Sequence, residues 1–153
     1  MLGRTHFLFG LLLGLLLFKY FDLNVYLFVI ILTLTSLLPD IDNPNSKAGK
    51  KFKLISNILN FIFGHRTLTH SLFFMCVIAL IIWNFFNGYW IPFAIGYFSH
   101  LLLDCATKQG IDFTWPFGLF TVRGMIKTGG LAEKVFFGCL IVGVGYLGFI
   151  LLK

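Results

Sequence analysis

Trp90-Ile91-Pro92-Phe93-Ala94-Ile95-Gly96-Tyr97-Phe98-Ser99-His100-Leu101-Leu102-Leu103-Asp104-Cys105 decides how this chain is read. Its first nine residues are almost wholly apolar. A histidine and an aspartate then appear four positions apart inside the same greasy run. On a helix that spacing puts both on one face, with Cβ atoms about 5–6 Å apart. An aspartate within a spanning helix costs roughly 2.5–3.5 kcal/mol on insertion scales, so it faces a partner or water. Together His100 and Asp104 can bind one ion, or the carboxylate can orient the imidazole from behind. A structural His–Asp hydrogen bond between helices is the plainer alternative.

Four further apolar runs resemble this one, at residues 6–21, 24–39, 69–87 and 134–152. The whole chain is 58% hydrophobic and 12% charged, with mean hydropathy +0.91. Soluble domains carry about 25% charged residues, so these numbers exclude an ordinary soluble enzyme. They predict an all-α fold: a polytopic membrane helical bundle of about five transmembrane helices in one domain, residues 1–153. Several runs fall below the usual ~20 residues of a span, which local bilayer thinning accommodates. The first run follows Arg4 and has no A-x-A-like cleavage site, so it reads as an uncleaved helix. Its Gly10-x3-Gly14 step permits close helix contact. Cys76, Cys105 and Cys139 form no CxxC motif and read as small buried apolar residues.

Basic residues set the orientation. Arg4, Lys47, Lys50, Lys51, Lys53, Arg66, Lys108, Arg123, Lys127 and Lys134 fall on one side of a five-span topology; Lys19 and Lys153 fall on the other. The positive-inside rule then predicts a cytoplasmic N-terminus and a C-terminus outside. The net charge of +6 thus speaks for topology and anionic membrane lipid rather than nucleic acid. Between Lys50 and Phe63, apolar Phe52, Ile55, Leu59 and Ile62 recur at helical spacing among Lys53, Ser56, Asn57 and Asn60, which predicts an amphipathic helix on the bilayer surface. The aromatic loop from Ile111 to Gly130 is expected at the interface, either as a partial lid or as an aromatic belt.

That topology gathers the chemistry at one membrane face. His6 opens the first run, and Asp40 and Asp42 follow the second. His65 and His70 begin the third, and His100 and Asp104 close the fourth. Pro39 disfavours helix at Leu38, so Asp40-Ile41-Asp42 is expected to be extended, with both carboxylates on one side. A turn made by Asp, Asn and Pro is the alternative. Gly64 and the threonines predict a turn before the third run, with Thr67 or Thr69 capping the helix. Arg66 carries a planar fork of donors suited to phosphate or carboxylate; helix-end snorkelling is its simpler role. Mixed imidazole and carboxylate ligands suit Zn²⁺ first and Mn²⁺ or Fe²⁺ next. The pool of His6, Asp40, Asp42, His65, His70, His100 and Asp104 leaves room for one or two ions. The Asp40-x-Asp42-x2-Asn45 spacing is no EF-hand, because Asn45 and Lys51 stand where that loop needs Gly and Glu.

These blocks resemble a known family. His6-x3-Gly10, Leu38-Pro39-Asp40-Ile41-Asp42, His65-Arg66-x2-Thr69-His70-Ser71 and His100-x3-Asp104-x2-Thr107-x2-Gly110, with Trp115-Pro116-Phe117, look like the membrane-bound metal-dependent hydrolases, a group often described as LexA-regulated inner-membrane proteins. The likeness covers the chain through its fourth run and the loop after it. It implies a prokaryotic inner-membrane protein with hydrolase activity and leaves the substrate open.

The expected function is therefore hydrolysis of a phosphate ester on a lipid or lipid-linked molecule. In it, Asp42 or Asp104 serves as general base and Arg66 holds phosphate. One alternative is a histidine-nucleophile lipid phosphatase, although the Lys…Arg-Pro…Ser-Gly-His set of those enzymes is missing. Another is a metal transporter or sensor, although transporters hold ions near the bilayer midplane. A purely structural membrane protein is the third.

Overall fold

Long runs of Leu, Ile, Val and Phe become helices here, and each stops where glycine, proline or a polar cluster interrupts it. The structure is a computed structural model that describes residues 1–64, 66–151 and 153, with Lys47 through its backbone alone. The helices are α1 (Gly3–Leu17), α2 (Val25–Thr35), α3 (Lys47–Lys51), α4 (Lys53–Phe63), α5 (Leu72–Phe85), α6 (Trp90–Cys105) and α7 (Leu131–Leu151). The fold is mostly helical rather than purely so. Strands β1 (Ile111–Asp112) and β2 (Thr121–Val122) pair antiparallel, with Ile111 opposite Val122.

Helix α6 is the axis of the molecule. Phe93, Tyr97, Leu101 and Cys105 on one of its faces form the apolar core with Ile111. Helices α5 and α2 pack on α6, and α1 packs against α2, α6 and α7. Small residues set these approaches. A Cβ on Gly96 would stand 2.3 Å from the Leu32 carbonyl, so α6 and α2 touch backbone to backbone. The Gly10-x3-Gly14 step faces α2, where added Cβ atoms would meet Ser36 Oγ at 2.5 Å and Val29 at 3.3 Å.

The outer surface is inverted relative to a soluble protein. Helix α5 exposes Phe73, Leu80, Ile81 and Trp83, and α7 exposes Val135, Val142, Tyr146 and Phe149. Cys76 and Cys139 lie on these outer faces, so of the three cysteines expected inside only Cys105 is buried. Helix α7, at 21 residues, is long and apolar enough to cross a membrane, because about 1.5 Å per residue gives about 30 Å. Helices α1, α2, α5 and α6 have 15, 11, 14 and 16 residues, below that length. Their apolar runs end in tight turns instead of continuing as α-helix: α1 passes into a 3₁₀ turn at Phe18–Tyr20, and α2 into turns that lead to Pro39–Asp42.

Two local expectations are corrected. Pro39–Asp42 is a 3₁₀ turn rather than an extended segment, and Leu38 keeps helical angles in spite of the following proline. Successive i→i+3 bonds outweigh that bias: Leu38 N–H to Thr35 O at 3.1 Å, Ile41 N–H to Leu38 O at 3.0 Å, and Asn43 N–H to Asp40 O at 3.1 Å. The cap of α5 is Ser71, whose Oγ accepts from Phe74 N–H at 3.1 Å. Thr69 is engaged elsewhere, and Thr67 bonds backward to the Phe63 carbonyl.

Candidate metal centre

His6 at the start of α1, Asp40 after α2, His70 before α5, and His100 and Asp104 at the end of α6 all sit at one end of the bundle. The structure brings these five together. Among the described residues, two groups place a ligand atom of each member within 4.8 Å of the others: His6, His100 and Asp104, and Asp40, His70 and His100. Both contain His100. The histidines and Asp104 are wholly buried.

Hydrogen bonding fixes which nitrogens face inward. Nδ1 of His100 lies 2.8 Å from the Ser36 carbonyl. A carbonyl only accepts, so Nδ1 carries the proton and Nε2 keeps a lone pair, a tautomer inferred from the partner. At His70, the Thr69 hydroxyl donates to Asp42 Oδ2 at 2.7 Å and lies 3.1 Å from Nδ1. Having given its single proton to Asp42, Thr69 can only accept from Nδ1–H, so His70 also presents a lone pair at Nε2. The two Nε2 atoms are 3.3 Å apart. Two facing lone pairs repel unless a cation stands by them.

The other distances fit the same centre. His6 Nε2 is 3.2 Å from Asp104 Oδ1, and its ring stacks on His100 with centroids 3.8 Å apart. Asp104 Oδ2 is 3.7 Å from His70 Nε2 and 3.8 Å from His100 Nε2, and Asp40 Oδ1 is 3.9 Å from His100 Nε2. Tetrahedral ligands at ~2.0–2.1 Å from zinc stand about 3.3 Å apart. Nδ1 of His6 is buried without a hydrogen-bond partner among the described residues, whereas His6 Nε2 faces Asp104 Oδ1 and Asp104 Oδ2 faces Arg66 Nη2. Buried polar atoms normally find partners, and the facing Nε2 atoms of His70 and His100, with His6 Nε2 and the Asp104 carboxylate beside them, face one another. The residues fit a divalent cation. Asp104 also meets two cations of the chain itself, the Met1 ammonium and Arg66 Nη2, the latter at 2.8 Å.

The remaining expected residues lie differently. Asp42 belongs to neither group of ligands. Besides Thr69 it accepts the Arg66 backbone N–H at 3.0 Å, and its Oδ2 lies 3.4 Å from His70 Nδ1. In a 3₁₀ turn, residues two apart point in different directions, so Asp40 and Asp42 cannot share a side. Arg66 has φ of 67°, a left-handed conformation costly for a side chain of its size. Its guanidinium spans Asp104, the Gly110 carbonyl at 3.0 Å and Thr107 Oγ1 at 3.3 Å. His65, named with the ligands from sequence, lies outside the described residues.

A mostly apolar groove of about 460 Å³ between α1 and α7 is also lined by Leu37, Asp40, Ser46 and Ala48. Burial pushes the Asp40 carboxyl above the usual carboxylate range, with His6 and His70 pulling it partly back. The aromatic loop is tied to the end of α6: Gly124 N–H reaches the Thr107 carbonyl at 2.9 Å, and Ile126 N–H reaches Ala106 O at 3.0 Å.

The family model described as YdjM inner membrane protein matches residues 1–152. The chain belongs to the YdjM inner membrane protein family. It is 32% identical over 162 aligned residues to "Uncharacterized protein YvsG" of Bacillus subtilis (strain 168), across 99% of this chain and 96% of that protein. It is 41% identical over 92 residues to "Inner membrane protein YdjM" of Escherichia coli (strain K12), across 54% of this chain and 46% of that protein. No solved structure matches.

In this YdjM-family chain, three supporting groups escaped the sequence reading. Ser36 gives its carbonyl to His100 and its hydroxyl to the His6 carbonyl at 3.0 Å. Thr69 links His70 to Asp42. Glu133, buried at the start of α7, accepts Leu2 N–H at 2.6 Å, Thr5 Oγ1–H at 2.8 Å and Gly129 N–H at 2.6 Å, and so ties α7 to the turn that carries His6. A lone carboxylate at the head of the last apolar run was the available signal for Glu133. The Ser36 and Thr69 contacts depend on backbone geometry that spacing does not encode.

Proposed function

We propose that this chain is a membrane-embedded, metal-dependent hydrolase acting on a phosphate ester of a lipid or lipid-linked molecule at the cytoplasmic face of the inner membrane. The facing Nε2 atoms of His70 and His100, each with Nδ1 committed to a fixed acceptor, carry this reading. A divalent cation held there would supply a nucleophile at neutral pH and polarise a phosphoryl oxygen. Its ligands would come from His6, Asp40, His70, His100 and Asp104, with His100 common to both groups. Zn²⁺ suits three imidazoles and a carboxylate best, with Mn²⁺ or Fe²⁺ next. Because His100 offers one free nitrogen, both groups that contain it describe a single ion.

Asp40 is the carboxylate that borders the groove, so the proton-transfer role moves to it from Asp42 and Asp104. Asp42 fixes the tautomer of His70 through Thr69, and Arg66 holds Asp104 in place. Five spanning helices, with the N-terminus in the cytoplasm, put the centre at the headgroup level of the inner leaflet. The family description and the ten-to-two split of basic residues support that placement.

The test is metal analysis of protein purified in detergent, followed by turnover of phospholipid phosphate esters with and without chelator. About one equivalent of metal per chain is expected, lost in His70→Ala, His100→Ala and Asp104→Ala. Hydrolysis should stop on chelation and return with Zn²⁺ or Mn²⁺. Protein that takes up no stoichiometric metal after reconstitution, or activity indifferent to chelators, overturns the proposal.

A further inference from the structure

The groove beside Asp40 has a composition of its own. Its walls are Phe7 and Leu8 of α1, Leu37, and Phe137 and Ile141 of α7. Arg4, Asp40 and Ser46 are its polar lining residues, and Asp40 belongs to the metal centre. The Arg4 guanidinium lies 4.8 Å from the centroid of the Phe137 ring, is exposed, and takes part in no ion pair among the described residues. Gly3 lines the groove as well. A Cβ added there would meet only Leu37 Cδ2, at an ordinary 3.9 Å, so glycine leaves open space rather than relieving a clash. The volume lies within the ~300–1,000 Å³ of small-molecule pockets. The groove is therefore mostly apolar, its polar lining is Arg4, Asp40 and Ser46, and it adjoins the metal centre through Asp40, with Arg4 as its one cation among the described residues.

We propose that this groove binds one acyl chain of an anionic glycerophospholipid, whose phosphate is held by Arg4. Arg66 is spent on Asp104, Gly110 and Thr107, whereas Arg4 is exposed at the mouth and offers a planar fork matched to phosphate oxygens. Stacking on Phe137 keeps that fork at the headgroup end while leaving its donors available. The chain lies between α1 and α7, and the ester next to the headgroup comes to rest beside Asp40. The occupant is a lipid drawn sideways from the bilayer. A soluble phosphate ester would leave the apolar walls empty.

The substrate role assigned to this lipid rests on the hydrolase reading; its binding does not, and the test reads binding alone. Full-length protein in nanodiscs is photolabelled with a phosphatidylglycerol that carries a diazirine on its acyl chain, and labelled residues are mapped by mass spectrometry. Label is expected to concentrate at least fivefold on Phe7, Leu8, Phe137 and Ile141 over the exposed apolar face of α5. Gly3→Leu, which fills the groove, should remove that excess, as should Ile141→Trp from the opposite wall. Arg4→Ala should lower it severalfold, with Arg4→Lys in between. Phosphatidylcholine carrying the same label should concentrate less, whereas inorganic phosphate should not compete. Even labelling of all exposed apolar faces in the wild type overturns the proposal without any variant. A groove label that persists in both filled variants overturns it too. Concentrated, groove-sensitive labelling in a protein that hydrolyses nothing would sustain the lipid site and defeat the hydrolase.

Discussion

Thr69 owns one hydroxyl proton, and its donation to Asp42 sets what His70 can offer. Removing that relay should cost metal affinity without unfolding the protein. Thr69→Val and Asp42→Asn are each expected to weaken metal binding about 10–100-fold, the usual effect of losing the group behind a ligand. Competition with a chromophoric chelator measures it, with circular dichroism as the control. Arg66→Lys should fail to restore either function or wild-type metal affinity, because lysine cannot span Asp104, Gly110 and Thr107 together. A Lys variant with normal metal affinity would remove the role of Arg66 in holding Asp104. That His6, Asp40, His70, His100 and Asp104 belong together was legible in sequence, since a histidine or aspartate inside an apolar run is expensive and rarely idle; Asp42 was expected in the same set and lies outside both groups. The direction of Asp40 relative to Asp42 was not: extended chain and 3₁₀ turn share the same residues, and only the bonds from Leu38, Ile41 and Asn43 choose between them.

At the scale of elements, α6 brings its ligands to the centre through its contact with α2. Gly96 lies one turn before His100, and its Cα sits against the Leu32 carbonyl, while Ser36, one turn beyond Leu32, holds the His100 ring. Gly96→Ala should push the two helices apart. A loss of about 1–3 kcal/mol in stability, typical of overpacking, should accompany weakened metal binding; thermal unfolding and metal titration measure the two. The amphipathic helix expected from Lys50 to Phe63 is present as α4 from Lys53, after a break at Phe52, and its orientation adds meaning. Ser56 is buried and Asn60 donates to the Asp42 carbonyl at 3.0 Å, while Leu54, Ile58, Phe61 and Ile62 face outward. Its polar side braces the turn that carries the carboxylates, and its apolar side suits the lipid surface expected beneath it. The β1–β2 hairpin was not legible, because two-residue strands leave no alternation to detect.

At the scale of the whole molecule, the five apolar runs correspond to α1, α2, α5, α6 and α7, although only α7 has full spanning length. If all five cross the bilayer, a periplasm-active reporter fused after Lys153 should work and a cytoplasm-active one should not. The opposite result would remove a span or reverse the orientation. The gathering of His6, Asp40, His70, His100 and Asp104 at one end is what successive apolar runs of alternating direction would give, so it was legible before any packing. It also carries a consequence for biogenesis. No two neighbouring segments contain a complete ligand set: His6 emerges first from the ribosome, and Asp104 only after the fourth apolar run has been made. If the runs insert one after another, as proposed, the nascent chain enters the bilayer with isolated polar groups that are poorly tolerated there, and they gain their partners only when α6 docks. The proposed metal would then be taken up at that last moment, as a latch on an already inserted chain. Under zinc starvation the protein should accumulate as an inserted but loosely packed form, open to membrane proteases, and pulse-chase measurement of its lifetime with and without added metal would reveal it.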